Sequence, residues 1–138
     1  MNRTLLASLA LGLALPAPPV AGQTGLSFEP LTPCRVVDTR NGAGPYGGPK
    51  LQPGVIRTFT IPPNCGVPVA QLVLSINATV TNPEGPGHIV LFPGGGPVPP
   101  SSNQNFTTGQ TRAVQALVAL ASDGSLGVRA TGAPVDFI

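Results

Sequence analysis

The sequence contains no tryptophan, one tyrosine and one histidine, and it carries only seven basic and five acidic residues in a chain of 138. Each scarcity excludes a class of function. His88 is the sole imidazole, so a Ser-His-Asp arrangement or a histidine-rich metal site would have to pass through one position. Gly87 and Ile89 place that histidine at the start of an extended segment. No Gly-x-Ser-x-Gly elbow presents a nucleophile,. The carboxylates Glu29, Asp38, Glu84, Asp123 and Asp136 form no calcium-loop pattern, and their spacing suggests no acid/base pair,. Gly94-Gly95-Gly96 is not followed by Gly-Lys-Ser/Thr and is flanked by Pro93 and Pro97, so it reads as a connecting loop rather than a phosphate cradle,. No catalytic residue, cofactor or metal ligand is therefore assigned. The basic residues are scattered, which argues against nucleic acid as a partner.

What is present begins with the first 22 residues. Asn2 and Arg3 give a short positive start, Leu5 to Leu15 an apolar run, and Pro16 to Gly22 a helix-breaking stretch ending in small residues. This pattern predicts a secretory signal peptide, cut after Gly22 or Ala21. Its apolar run is too short to span a bilayer and no second one follows, so no membrane span is expected,. The mature chain is then exported, extracellular or at the cell surface, and of the size of one domain. A surface so poor in charge is expected to associate with something.

Eighteen glycines and eighteen prolines would by themselves suggest low complexity,. Periodicity overrules that reading. Ala70, Leu72, Leu74, Ile76, Ala78 and Val80 alternate strictly with Gln71, Val73, Ser75, Asn77, Thr79 and Thr81, the signature of a half-buried strand,. Further strands are predicted at Arg35 to Asp38, Val55 to Ile61, His88 to Phe92, Asn105 to Thr107, Ala113 to Ala121, Leu126 to Ala130 and Val135 to Ile138, each bounded by Gly, Pro, Asn or Ser,. Ala and Leu in the segment Arg112 to Ala121 also favour a helix, but its length and the turn signal Ser122-Asp123-Gly124-Ser125 favour a strand,. About eight short strands predict an all-β fold, a single β-sandwich or jelly-roll-like domain over residues 34–138.

Cys34 and Cys65 lie 31 positions apart in a chain expected to be exported, and are read as a disulfide joining the first predicted strand to the turn Pro62-Pro63-Asn64,. A metal pair, a reactive thiol and an intermolecular bridge are the rival readings. Asp38 and Arg40 are expected to form a local polar network, with Arg112 a candidate member.

Several motifs occur in order: Cys34-Arg35-Val36-Val37-Asp38-Thr39-Arg40, Cys65-Gly66-Val67-Pro68, Leu74-Ser75-Ile76-Asn77-Ala78-Thr79-Val80, Leu91-Phe92-Pro93-Gly94, Ser102-Asn103-Gln104-Asn105-Phe106 and Gly109-Gln110-Thr111-Arg112-Ala113. In this order the chain resembles a family of secreted bacterial β-domains found alone or as repeats in large cell-surface proteins, mostly without assigned activity. The resemblance covers roughly Phe28 to the C-terminus and implies a cell-surface context. Members of that family usually finish with a strand reading Asp-Val-x-Gly-Tyr-Phe, which is absent here: the sequence stops at Val135-Asp136-Phe137-Ile138. Either that strand lies beyond this sequence, or the domain lacks one edge strand.

A sandwich without an edge strand offers a template for another chain's strand. Residues 23–33, with Leu26 and Phe28 alternating with Ser27 and Glu29 and with Leu31 following, are a candidate arm to fill it. Arms donated to neighbours would make a homo-oligomer or a head-to-tail polymer such as a filament. An ordinary first strand or an unstructured lead is the alternative for these residues. The function expected is that of a non-enzymatic structural subunit. The rival is a glycan or cell-wall binding module, weakened by the lack of tryptophan and by the loop position of Tyr46. Asn77-Ala78-Thr79 and Asn105-Phe106-Thr107 fit the acceptor pattern for N-glycosylation, with Asn77 on the polar face of its strand,.

Overall fold

The computed structural model describes residues 27–61, 65–68 and 73–138. The predicted leader, the turn at residues 62–64 and the first three residues of the alternating strand lie outside them.

Among the described residues seven strands follow one another: β1 (Ile56–Thr60), β2 (Val73–Thr81), β3 (Gly87–Pro93), β4 (Gln104–Phe106), β5 (Arg112–Ala119), β6 (Ser125–Thr131) and β7 (Asp136–Phe137). They form two antiparallel sheets, a four-stranded one in the order β1-β6-β3-β4 and a three-stranded one in the order β5-β2-β7. The described residues hold no helix, and the fold is an all-β sandwich. The ambiguous segment at 112–121 is indeed a strand, because its Val114, Ala116 and Val118 fall on one face opposite Ala78, Ile76 and Leu74 of β2.

Alternation decides what lies between the sheets. Phe59, Leu126, Val128, Ala130, Ile89, Leu91 and Phe106 enter the core from the first sheet; Ala78, Val80, Val118 and Phe137 enter from the second, with Val37, Leu51 and Val135 closing the margin. The rings of Phe59 and Phe137 stack across the layer with centroids 6.2 Å apart.

Two glycines are required by geometry. Gly124, at φ 75°, closes the turn after β5 and donates its N–H to Ala121 O at 2.9 Å, while Asp123 Oδ1 receives the backbone N–H of Ser125 at 3.0 Å,. The Asp-Gly signal therefore locates a real turn, but its two strands part into different sheets instead of pairing as a hairpin. Gly127 lies beneath the Phe92 ring, where an added Cβ would come within 2.6 Å of the ring carbon Cε2.

The strand predicted at Arg35 to Asp38 does not form. The carboxylate of Asp38 instead accepts the backbone N–H of Arg40 and the guanidinium groups of Arg40 and Arg35. Its own N–H goes to Tyr46 O at 2.8 Å. Side-chain bonds to nearby backbone compete with a sheet ladder, and here they curl the segment into the Gly- and Pro-rich loop. The predicted disulfide between Cys34 and Cys65 is present, with Cα atoms 5.4 Å apart. It anchors the root of the N-terminal segment rather than a first strand.

Candidate functional site: the open edge of β2

β2 is the central strand of the smaller sheet, yet only part of it has partners on both sides. Along one side β5 pairs with it from Val73 to Val80. On the other side β7 covers Val80 and Thr81, and Ile138 exchanges two backbone hydrogen bonds with Thr79, at 2.8 and 2.9 Å. No described residue pairs with the β7 side of β2 between Val73 and Ala78.

The antiparallel alternation fixes which groups are left open. Thr79 directs its N–H and C=O toward Ile138, so Asn77, Ser75 and Val73, two, four and six residues away, direct theirs to the same empty side,. The side chains beside this gap are also incompletely covered. Leu74 and Ile76 face the core but are only half-buried, whereas Ala78 and Val80 farther along the same face are buried. Open backbone groups and half-covered apolar side chains together make a slot shaped for one more strand. β5, at the opposite edge of the sheet, likewise has a described partner strand on one side only and is mostly exposed.

One end of the slot is built by a polar clamp on β7. Thr39 Oγ1 donates to Asp136 Oδ1 at 3.0 Å and accepts the N–H of Phe137 at 2.8 Å, and the N–H of Thr39 reaches Phe137 O at 3.0 Å. Asn82 Nδ2 donates to the second carboxylate oxygen of Asp136 at 3.2 Å, and Lys50 bridges Asn82 O and Glu84, 3.1 Å from each. Leu51 and Val135 exchange backbone bonds beside it. β7 is thus held on both sides.

The Asp38 network stands next to this clamp, since Thr39 belongs to one and its neighbours Asp38 and Arg40 to the other. Arg40 Nη2 lies 2.7 Å from the Asp38 carboxylate and Arg35 Nη1 2.9 Å. The side-chain bond to Arg40, assisted by Arg35, holds the Asp38 carboxyl far below the usual carboxylate range despite its burial, which acts in the opposite direction,. Arg112, a candidate for this network from its place in the sequence, stands instead at the exposed start of β5 opposite Val80. Because the folded protein holds the Asp38 proton more weakly than the unfolded chain, its stabilising contribution is complete above about pH 4 and is lost as the pH falls below that value. Thermal unfolding of the native chain from pH 5 down to pH 2 is expected to show a steeper loss of melting temperature than the D38N variant, which has no such proton linkage at this position. Parallel pH profiles would contradict the assignment.

At the other end of the slot the N-terminal segment passes close by. Ser27, Phe28 and Leu31 line a shallow cleft together with Pro68, Val73 and Leu74. Phe28 is nonetheless 77% exposed and Leu31 42% exposed. Leu26, the third apolar residue of the predicted arm, lies outside the described residues.

The remaining candidates occupy ordinary positions. His88 is half-buried at the start of β3, with Thr131 Oγ1 2.9 Å from a ring nitrogen. Asn77 and Asn105 are both exposed, on β2 and β4. Among the described residues no three His, Cys, Asp or Glu side chains gather as metal ligands, and no buried polar side-chain atom lacks a hydrogen-bond partner. No helix among them is long and apolar enough to cross a membrane. Phe28 is the one exposed aromatic residue among the described residues; Tyr46 is half-buried in its loop.

The class defined by this geometry is a disulfide-linked antiparallel β-sandwich. Comparison with models of protein families, with curated proteins and with solved structures found no match.

Proposed function

We propose that this protein is a non-enzymatic structural subunit, exported to the cell surface or beyond it, that assembles with its own kind by β-strand addition. The observation that supports this most directly is that no described residue pairs with the β7 side of β2 from Val73 to Ala78, beside half-buried Leu74 and Ile76. Main-chain pairing along such an edge supplies affinity, and the side chains beneath it supply register. The poverty of charge supports the same reading, because few like charges stand in the way of close approach between copies,. The disulfide suits an oxidising compartment,.

A glycan-binding module is the alternative. The outer face of the β5-β2-β7 sheet, where Gln115 donates to Ser75 beside Asn77, offers uncharged hydrogen-bonding groups. It has no exposed aromatic platform on which a sugar ring would stack.

Negative-stain electron microscopy of the oxidised, exported protein tests the assembly. Oligomers or filaments are expected from the native chain and their loss from an S75P variant. The Ser75 N–H points to the open edge, so proline removes a docking group without removing a bond to β5,. Unchanged far-ultraviolet circular dichroism would show that the variant folds. Monodisperse native particles at all concentrations would overturn the proposal, and binding on a glycan array would then support the alternative.

A further inference from the structure

We infer that Asn41 is a site of spontaneous covalent modification, at which the backbone nitrogen of Gly42 attacks the Asn41 side-chain carbonyl and the product, isoaspartate, opens the loop from Asn41 to Gly48. This inference stands apart from the assembly reading above.

The chemistry needs a side-chain amide and the next backbone nitrogen, both free to move. Asn41 is exposed in the loop that follows the Asp38 network, anchored by its own N–H, which donates to Asp38 O at 3.1 Å. The N–H of Gly42 donates to no backbone acceptor among the described residues, although the amides of Asn41, Gly44, Gly47 and Gly48 around it all do. A nitrogen that bends back onto the preceding side chain is hindered by a Cβ on its own residue, and Gly42 has none. In the step itself a bond forms between Gly42 N and Asn41 Cγ, the nitrogen's proton passes to solvent, and the side-chain amide leaves as ammonia. Water then adds to the succinimide. Addition at Cγ restores the main chain as aspartate; addition at the former backbone carbonyl leaves the chain running through the side chain, as isoaspartate.

The fold protects the other asparagines among the described residues. Asn82 precedes Pro83, whose nitrogen has no proton to lose,. Asn103 is held by its side chain, since Oδ1 accepts the N–H of Leu91 at 2.8 Å. Asn77 and Asn105 lie inside β2 and β4, followed there by Ala78 and Phe106, and sheet pairing keeps each backbone extended. Closing the five-membered ring requires ψ to leave the extended range.

The loop has no slack for the product. Gly48 N–H is shared between Asn41 O at 3.0 Å and Gly42 O at 3.2 Å, which requires those carbonyls to stay one peptide apart. A Cβ on Gly47 would collide with Gly42 O, and one on Gly48 would lie 2.9 Å from Asn41 O, so the two arms of the loop meet backbone to backbone. Isoaspartate inserts one more carbon into the main chain before Gly42 and turns the Asn41 carbonyl into a free carboxylate. The Gly48 amide then loses its shared seat.

The test ages the full-length exported protein, disulfide intact, at physiological temperature and at mildly acidic and mildly alkaline pH, beside a G42A variant. Gly42 has open space where a Cβ would go and its φ is not left-handed, so alanine fits the fold while obstructing the attack. Peptide mapping by mass spectrometry reads the gain of an amide-to-acid exchange, isoaspartyl methyltransferase labelling counts isoaspartate, and hydrogen exchange follows the Gly48 amide. Isoaspartate is expected to accumulate at residue 41 severalfold faster than any change at Asn77, Asn82, Asn103 or Asn105, faster at alkaline pH, and severalfold slower in G42A. The Gly48 amide is expected to exchange severalfold faster in the aged protein than in the fresh one. A native protein that keeps Asn41 as the amide, or a G42A variant that converts at the native rate, would overturn the assignment. Isoaspartate at residue 41 with unchanged exchange at Gly48 would overturn the opening of the loop.

Discussion

The variant F59A is expected to lose about 3–5 kcal/mol of folding free energy, a large share of the roughly 5–15 kcal/mol that holds a domain of this size together. Phe59, on β1, is 1% exposed and is, with Phe92, among the largest fully buried side chains. Its ring stacks on Phe137 at 6.2 Å and carries the Arg57 guanidinium 4.7 Å from its centroid. Alanine leaves a cavity that neither neighbour can fill. Phe137 belongs to a strand of two residues held by the Thr39–Asp136 clamp, and Arg57 is fixed by a 2.7 Å bond to Pro49 O. Urea unfolding monitored by circular dichroism measures the loss; a change under 1 kcal/mol would mean that the two sheets do not depend on this contact. Because Phe137 leads into Ile138 at the start of the β2 slot, the same variant is expected to weaken assembly at temperatures where it remains folded.

The second large effect is expected from the disulfide. Removing it in a C34S/C65S variant releases a 31-residue constraint on the unfolded chain, worth about 3–4 kcal/mol in the chain-entropy model,. The melting temperature should fall by about 10 °C or more, and added reductant should lower the native protein's to the same value. A variant that melts with the native protein would show that the bond constrains little.

The fold was legible in the sequence to a considerable depth, and the reason is local. The alternation of Leu74, Ile76, Ala78 and Val80 with Ser75, Asn77 and Thr79 needs no knowledge of a partner to specify a strand with one apolar face. The turn at Asp123-Gly124 follows from the freedom of glycine at positive φ, and the single pair of cysteines left one intramolecular bond to form. Arg35 to Asp38 misled because Val36 and Val37 carry strand propensity, while the decisive interactions are those of Asp38 with Arg35 and Arg40 on either side. That network was expected as a local feature; that it displaces a strand was not. Nor could any local pattern reveal that Thr39 holds Asp136, 97 positions away, because a threonine and an aspartate at such separation carry no mark of their meeting.

The sequence by itself determined seven of the eight predicted strands, their inward faces, the turn and the cysteine pair, since each depends on neighbours within a few residues or on the absence of any other partner. Tertiary structure alone decided how those strands divide between two sheets, that the Asp-Gly turn joins different sheets, and that β7 lies beside β2 at Val80 and Thr81. An edge is a property of what lies alongside a strand. It becomes visible only when segments remote in the chain have taken their places.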